Sequence, residues 1–419
     1  MSFFIHLQVI KLLHPVVIFE FMESDELDIS EHHPARPSLR VCVVTETYPP
    51  EVNGVAISLA RVVEGLKEQG HHVWLVRPGL KGQSHPEESA REQWVRAWSL
   101  PIYREVKFGL PATTKLKRLW SRHRPDVVHI ATEGPLGWSA LRLALNMKLA
   151  VTTDFRTNFH AYSKHYRLGW LQAPILRYLK KFHNLATATM VPTRALQVQL
   201  SQLGFERLFH VPRGVDLLRF DPAHRSVALR QCWGADDETP VMICVSRLAA
   251  EKNLELVIRA WRQACQLAVD LRLVLVGDGP LRSELQARHP DVCFAGYRSG
   301  LDLSAHYASA DLFAFASLTE TFGNVTLEAM ASGLPVLAFR SAAAAELIEP
   351  GRQGLLAEEG EKPFIDACCQ LVERRQHWQN MGKEARARAM QCDWPAVIAA
   401  SVQVMRESIQ RQTSGVRGL

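Results

Sequence analysis

From residue 40 onward, short apolar runs rich in β-branched residues alternate with longer stretches whose apolar positions recur every three to four residues. That alternation predicts βαβ units and a mostly parallel sheet. It occurs twice along the chain. The first set of predicted strands is 41–46, 72–77, 127–131, 150–154 and 188–192, and the second is 241–246, 273–276, 292–295, 312–316 and 335–339. The second set consists of continuous apolar runs, as strands covered on both faces require. Between the first two strands, 53–69 predicts a helix: Asn53 is a candidate N-cap, Val55, Leu59, Val62, Val63 and Leu66 fall on one face, and Gly70 sits at the C′ position. Pro212 and Gly214 break the pattern within 209–220. The expected fold class is α/β, with two doubly wound parallel sheets whose ligand loops, at the carboxyl ends of the strands, face one crevice. The expected divisions are a tail over 1–38, an N-terminal domain over 39–212, a C-terminal domain over 213–390, and a helix over 391–419 that crosses back to the N-terminal domain.

Composition narrows the class. The 419 residues are 47% hydrophobic and 22% charged, so the chain has the apolar content of a globular protein and lacks the signature of disorder. A net charge of +6 is mild for this length and suits a phosphorylated substrate or an anionic membrane surface without arguing for nucleic acid. Cys42, Cys232, Cys244, Cys265, Cys293, Cys368, Cys369 and Cys392 form no CxxC pair, and no His stands at zinc-ligand spacing. Several lie inside apolar strand patterns, which points to buried thiols in a reducing, cytoplasmic compartment. Residues 2–21 are an apolar run interrupted by His6, Lys11, His14, Pro15 and Glu20; a signal sequence, a membrane anchor and an over-extended start before Met22 all remain open. The polar segment 23–39 is expected to be unstructured.

Three loops carry candidate chemistry. Pro49 to Val55 joins the first strand to its helix, and Gly54 lets an anion approach the helix amides; an ordinary βα turn is the competing reading, since no GxGxxG is present. After the first strand of the second half, Ser246-Arg247-Leu248 leads to Glu251-Lys252-Asn253, where two cations can converge on one phosphate, unless they merely pair with Glu251 in a solvated loop. The stretch from Thr319 to Gly333 turns at Phe322-Gly323 and becomes a helix ended by Gly333 and Pro335. It places Glu320 and Glu328 on either side of a helix N-terminus, with seven residues between them. The amides and dipole there favour a diphosphate, whereas a carboxylate beside it needs a sugar hydroxyl to hold. The alternative is that Glu328 only complements the dipole. Gly277-Asp278-Gly279-Pro280 reads as a tight turn or a nucleotide-side loop. The stretch from Asp154 to Arg167 is dense in polar, aromatic and basic side chains at the end of a first-half strand, where a substrate loop is expected.

In combination these elements resemble the retaining glycosyltransferases of family four, over residues 40–400. That family is marked by a Glu-x7-Glu element, matched by Glu320 and Glu328. The Ser-Arg-Leu and Glu-Lys-Asn elements, the Pro-x-Gly-Val-Asp element from Pro212 to Asp216, and the Gly54 loop fall in the expected order. The resemblance implies two facing Rossmann-like domains of GT-B type, the first on the acceptor side and the second binding a nucleotide diphosphate sugar as co-substrate. It further implies that Arg247 and Lys252 hold the donor diphosphate, that Glu320 faces the donor sugar, and that Glu328 binds the ribose. Phe322, Gly323, Asn324, Val325 and Gly54 would approach the donor through backbone atoms, and Asn53, Asp154, Arg156 and His160 would lie on the acceptor and sugar side. No metal or cofactor is expected, because two cations and helix amides can stabilise a leaving diphosphate.

One departure from the family pattern stands out. Where many members read His-Thr-(Asp/Asn)-Phe, this chain has Arg156-Thr157-Asn158-Phe159, and an Arg cannot act as a base at neutral pH. Either Arg156 supplies charge or a substrate contact, or His160 takes over. The opening TETYPPEVNGVA and the Thr-Asn-Phe-His-Ala-Tyr segment look closest to GDP-mannose-dependent α-mannosyltransferases. UDP-sugar-dependent glucosyl or sulfoquinovosyl transfer, a nucleotide-sugar epimerase, and a non-catalytic sugar-nucleotide-binding protein are the rival readings. The basic stretches Lys115 to Arg118 and Arg177 to Lys181 on predicted helices suit either a solvated face or an anionic inner membrane surface with a glycan or lipid-linked acceptor.

Overall fold

The structure is a computed structural model that describes residues 16–20, 28–32, 37–51, 53–79, 91–99, 107–156, 172–267 and 270–416. The chain divides into two compact units, Met1–Leu39 and Arg40–Leu419. In the first, Val16–Glu20 pairs antiparallel with Asp28–His32, Val16 lying opposite His32 and Glu20 opposite Asp28. The segment over 23–39, expected to be unstructured, therefore contributes one strand of a ribbon. The β-branched and aromatic run VVIFE supplies its partner strand.

The second unit holds two parallel sheets. In the first sheet the strands lie in the order Leu208–His210, Ala188–Val191, Ala150–Asp154, Val127–Ile130, Arg40–Val44, His72–Pro78 and Glu92–Val95. In the second the order is Cys293–Gly296, Arg272–Val276, Val241–Val245, Leu312–Phe315, Val336–Phe339 and Gly354–Ala357. In each sheet the first strand in sequence lies inside, the next two step outward on one side, and the rest step outward on the other. Each sheet thus has a switch point, beside Arg40–Val44 and Val127–Ile130 in one and beside Val241–Val245 and Leu312–Phe315 in the other. The register puts Val41 next to Val73 and Val127, and Ile243 next to Val274 and Phe313. These central residues are fully buried, which explains why their runs are apolar without alternation.

The helix Gly54–Glu68 buries Ala56, Leu59, Val62, Val63 and Leu66 and exposes Arg61, Glu64, Lys67 and Glu68. Its Gly65 lies under the C-terminal helix Trp394–Val416, where a Cβ would stand 2.6 Å from Ile398 Cγ1. That last helix packs on the strands Ala150–Asp154 and Ala188–Val191 with Val397, Ile398 and Met405 buried. The chain passes between the sheets at two adjacent places. Val215 N–H donates to the Cys392 carbonyl at 3.0 Å, and a Cβ on Gly214 would meet Trp394 Cδ2 at 2.8 Å. All eight cysteines are free thiols, and burial pushes those of Cys42 and Cys244 up to about 12.

Candidate active site

In the second half the site grows from two strand ends. Beyond Val245 the backbone turns through Ser246 and Arg247, and the glycine loop beside it fixes that turn. Leu248 N–H donates to the Asp278 carbonyl at 2.9 Å, and a Cβ on Gly277 would stand 1.9 Å from the Ser246 carbonyl oxygen. The loop Gly277–Pro280 is thus a packing element that holds Arg247 in place. A short 3₁₀ turn, Ala250–Lys252, ends at Asn253 in the left-handed conformation, φ 52°, and the helix Leu254–Cys265 follows. The Lys252 ammonium lies 5.8 Å from the centre of the Phe315 ring, a cation–π contact, and forms an ion pair with Glu320. Ser317 Oγ also donates to Glu320 Oε1, at 2.8 Å. Gly323, at φ 87°, turns the chain into the helix Asn324–Ala331, a conformation that a β-carbon disfavours.

The first half supplies the facing wall. Asn53 caps the helix Gly54–Glu68: its Oδ1 accepts from Ala56 N–H at 2.8 Å and its Nδ2 donates to Thr47 Oγ1 at 2.7 Å. Both ends of that amide are occupied, so Asn53 acts by placing the helix start. A Cβ on Gly54 would stand 3.7 Å from Asn324 Nδ2, which brings two helix N-termini face to face. At the end of Ala150–Asp154, Asp154 accepts from Arg213 at 2.8 and 3.2 Å and lies 2.6 Å from Arg156 Nη2. Arg156 Nη1 donates to Ser58 Oγ at 2.7 Å, and Thr321 Oγ1 reaches across from the second half to the Arg156 carbonyl at 3.0 Å. Burial pushes the Asp154 carboxyl up, but the two guanidinium groups overcome it and hold the group well below the ordinary carboxylate range. Burial brings Arg156 down to about 10 against the pull of Asp154, and brings His129 down to about 4, so that imidazole is neutral.

A cleft of about 440 Å³ lies between these walls. Of the residues expected at the site, Asn53, Gly54, Arg156, Arg247, Lys252, Glu320, Phe322, Gly323, Asn324 and Val325 line it. Asp154 does not; it sits behind Arg156 and Arg213. Glu328 does not either. Partly buried, it lines a neighbouring cavity of about 50 Å³, and its Oε2 accepts from Tyr307 Oη at 3.0 Å. Burial raises its pKa, opposed by the Tyr307 hydroxyl and by the charge of Arg219. Glu328, which the resemblance assigns to the ribose, is directed toward Tyr307 and lines that neighbouring cavity. His160 lies outside the described residues. Arg213, Ser58 and Thr319 also line the cleft and were not singled out from the sequence. For Arg213 the signal was at hand, inside the Pro-x-Gly-Val-Asp element.

Four cationic side chains, Arg156, Arg213, Arg247 and Lys252, thus border one cleft with the carboxylates Glu320 and Glu251. The two opposed helix starts, with Arg247 and Lys252 on the second-half wall, suit a diphosphate-bearing ligand. Among the described residues no group of three or more His, Cys, Asp or Glu is placed to hold a metal, and no helix is long and apolar enough to cross a membrane.

Paired doubly wound domains with a cationic cleft at their switch points define a two-domain glycosyltransferase of GT-B architecture. Comparison with known proteins agrees. The family model Glycosyltransferase Family 4 matches residues 52–219, and the model Glycosyl transferases group 1 matches residues 239–374. The GDP-mannose-dependent alpha-mannosyltransferase of Mycobacterium tuberculosis is 34% identical over 365 residues, covering 86% of this chain and 94% of the relative. Its namesake from Corynebacterium glutamicum is 34% identical over 328 residues, 76% of this chain and 77% of the relative. Among solved structures, sucrose-phosphate synthase from Thermosynechococcus elongatus superposes with a TM-score of 0.71 at 18% identity, covering 88% of this chain and 98% of that one. The chain belongs to the family-four glycosyltransferases, and its activity is that of a glycosyltransferase.

Proposed function

We propose that this protein transfers a mannosyl group from GDP-mannose, with retention of configuration, to a glycan or lipid-linked acceptor. The observation that carries the donor assignment is the 34% identity, over 86% of the chain, to a relative named for that donor. In this reading the donor diphosphate lies between the starts of Gly54–Glu68 and Asn324–Ala331. Arg247 and Lys252 neutralise the charge that develops as the diphosphate departs, and the amides of Gly323, Asn324 and Val325 add to it, so no protonating acid and no metal is required. Lys252 exchanges Glu320 for phosphate as the donor binds, and Glu320 is then released toward the sugar hydroxyls. Glu328 reaches the ribose only after its contact with Tyr307 opens. The helix Thr113–Arg122 presents Lys117 and Arg118 to solvent while burying Leu116 and Trp120, and in this reading those cations meet an anionic inner membrane surface that holds a lipid-linked acceptor.

The test is thermal denaturation with GDP, UDP, ADP and TDP, followed by the matching sugar nucleotides. A ligand at 100 times its dissociation constant adds about 2.7 kcal/mol of stability, enough to resolve. Selective stabilisation by GDP and GDP-mannose is expected. A preference for UDP overturns the donor assignment, and turnover of the donor to a changed sugar nucleotide without acceptor makes the protein an epimerase.

A further inference from the structure

The first-half wall of the cleft carries a charge arrangement that a donor diphosphate leaves unused. Arg156 and Arg213 share a single carboxylate, Asp154, and all three are less than a tenth exposed. His129, the imidazole beside them, is neutral and adds no compensation. Glu133, whose charge is also felt at Arg156, does not line the cleft; its Oε1 lies 3.4 Å from His183 Nε2. Arg156 Nε is buried with no hydrogen-bond partner, although the residue lines the cleft. Two guanidinium groups are thus taken out of water beside the one carboxylate that both of them bond, and the Arg156 Nε edge is left without an acceptor among the described residues, a costly arrangement unless a ligand supplies one.

We propose that the cleft binds, in addition to the donor diphosphate, an anionic group of carboxylate, sulfonate or phosphate type on the sugar of the acceptor, held by Arg156 with Arg213. A planar guanidinium fork suits such oxyanions. Arg156 stands where many family members have a His near the donor sugar, and Arg213 reaches the same wall from the crossover. The assignment to the acceptor rests on the proposed donor, whose mannose is uncharged.

The experiment is calorimetric titration of the full-length protein, saturated with GDP, with methyl α-D-glucopyranoside, its C6 carboxylate counterpart and its 6-phosphate. At least one anionic member is expected to bind tenfold or more tightly than the neutral sugar. Arg156→Gln should abolish that preference and Arg156→Lys should keep most of it, with GDP affinity unchanged in both; the Lys variant guards against a loss caused by misfolding. Neutral and anionic sugars binding alike, or a preference that survives Arg156→Gln, overturns the proposal. A parallel displacement of GDP by GDP-mannose and by GDP-mannuronic acid separates the two sources of charge. Tighter binding of the acidic donor moves the anion to the donor and overturns the acceptor assignment. Failure of the donor reading appears separately, as loss of the advantage of GDP over UDP, and the sugar comparison can then be read with whichever nucleotide binds.

Discussion

Lys252→Ala tests the donor site most directly, and the size of its effect follows from the pairing of Lys252 with Glu320. A hydrogen bond from an ammonium to phosphate contributes about 1.5–3 kcal/mol, or roughly 10- to 150-fold in affinity. Lys252 is already paired with Glu320, and the two side chains are only 13% and 18% exposed. Donor binding therefore gains the difference between a phosphate and a carboxylate partner, which places the expected loss at the low end, about tenfold in the dissociation constant for GDP. The same reasoning gives Glu320→Gln the opposite sign. Removing the competing carboxylate takes away the Glu320 partner that phosphate must displace, so GDP should bind more tightly while transfer falls. Calorimetric titration of both variants with GDP, alongside a radiolabelled transfer assay, checks both signs. Unchanged GDP affinity in Lys252→Ala, or weakened GDP affinity in Glu320→Gln, refutes the exchange of partners.

Other expectations follow from single contacts. Gly277→Ala would set a Cβ 1.9 Å from the Ser246 carbonyl oxygen at φ 140°, so it should cost about 1–3 kcal/mol by denaturant titration and weaken GDP binding by displacing the Arg247 turn. Gly323→Ala, at φ 87°, should cost about 1–2 kcal/mol and depress transfer, as read by melting temperature and turnover. Ile398→Ala removes the side chain seated on Gly65 and should destabilise the fold by about 2–5 kcal/mol in the same titration. Burial raises the Glu46 carboxyl from 4.5 to about 7, against the amides of Leu136 and Gly137. The folded state then binds the extra proton, so the contribution of Glu46 is present below pH 4.5 and is lost as pH rises through about 7. Glu46→Gln should accordingly gain stability relative to the native protein between pH 5 and 8, by up to about 3 kcal/mol; a difference that does not change with pH would contradict this.

The central strands were legible because they are buried on both faces: Val41–Val44 and Val241–Val245 are unbroken apolar runs, and their predicted limits differ from the observed ones by a residue or so. The edge strands Glu92–Val95, Leu208–His210 and Gly354–Ala357 escaped, since an edge strand is short and paired on one side, and EQWV or LFH carries no clear period. At the site, spacing along the chain identified residues that one loop brings together, such as Arg247 and Lys252 after Val241–Val245, which both line the cleft. It could not place Glu328, whose orientation depends on the burial of Tyr307 from a distant helix. Nor could it reveal that Arg156 and Arg213, 57 positions apart in the chain, share one carboxylate. That is a property of the packed crossover, visible only when the strand end of Asp154 and the turn before Gly214 are seen side by side.

The two halves meet through two kinds of contact with different consequences for the cleft. Apolar packing across the helix Trp394–Val416, with Ile398 on Gly65 and Arg411 4.8 Å from the Phe209 ring centre, binds the chain's last helix to the first sheet. The contacts that span the cleft are polar: Arg61 with Asp216, Thr321 with the Arg156 carbonyl, and Glu346 with the amides of Arg194 and Ala195. Partly exposed pairs of this kind exchange for water at a cost near zero to 1 kcal/mol each. The adjacent crossovers at Val215 and Cys392 are joined by a backbone hydrogen bond, so the two passages of the chain between the halves lie side by side. Thr321 follows Glu320 directly in sequence. The hydroxyl that holds the Arg156 carbonyl is thus attached to the loop that carries Glu320, and this hydrogen bond ties that loop to the first-half wall.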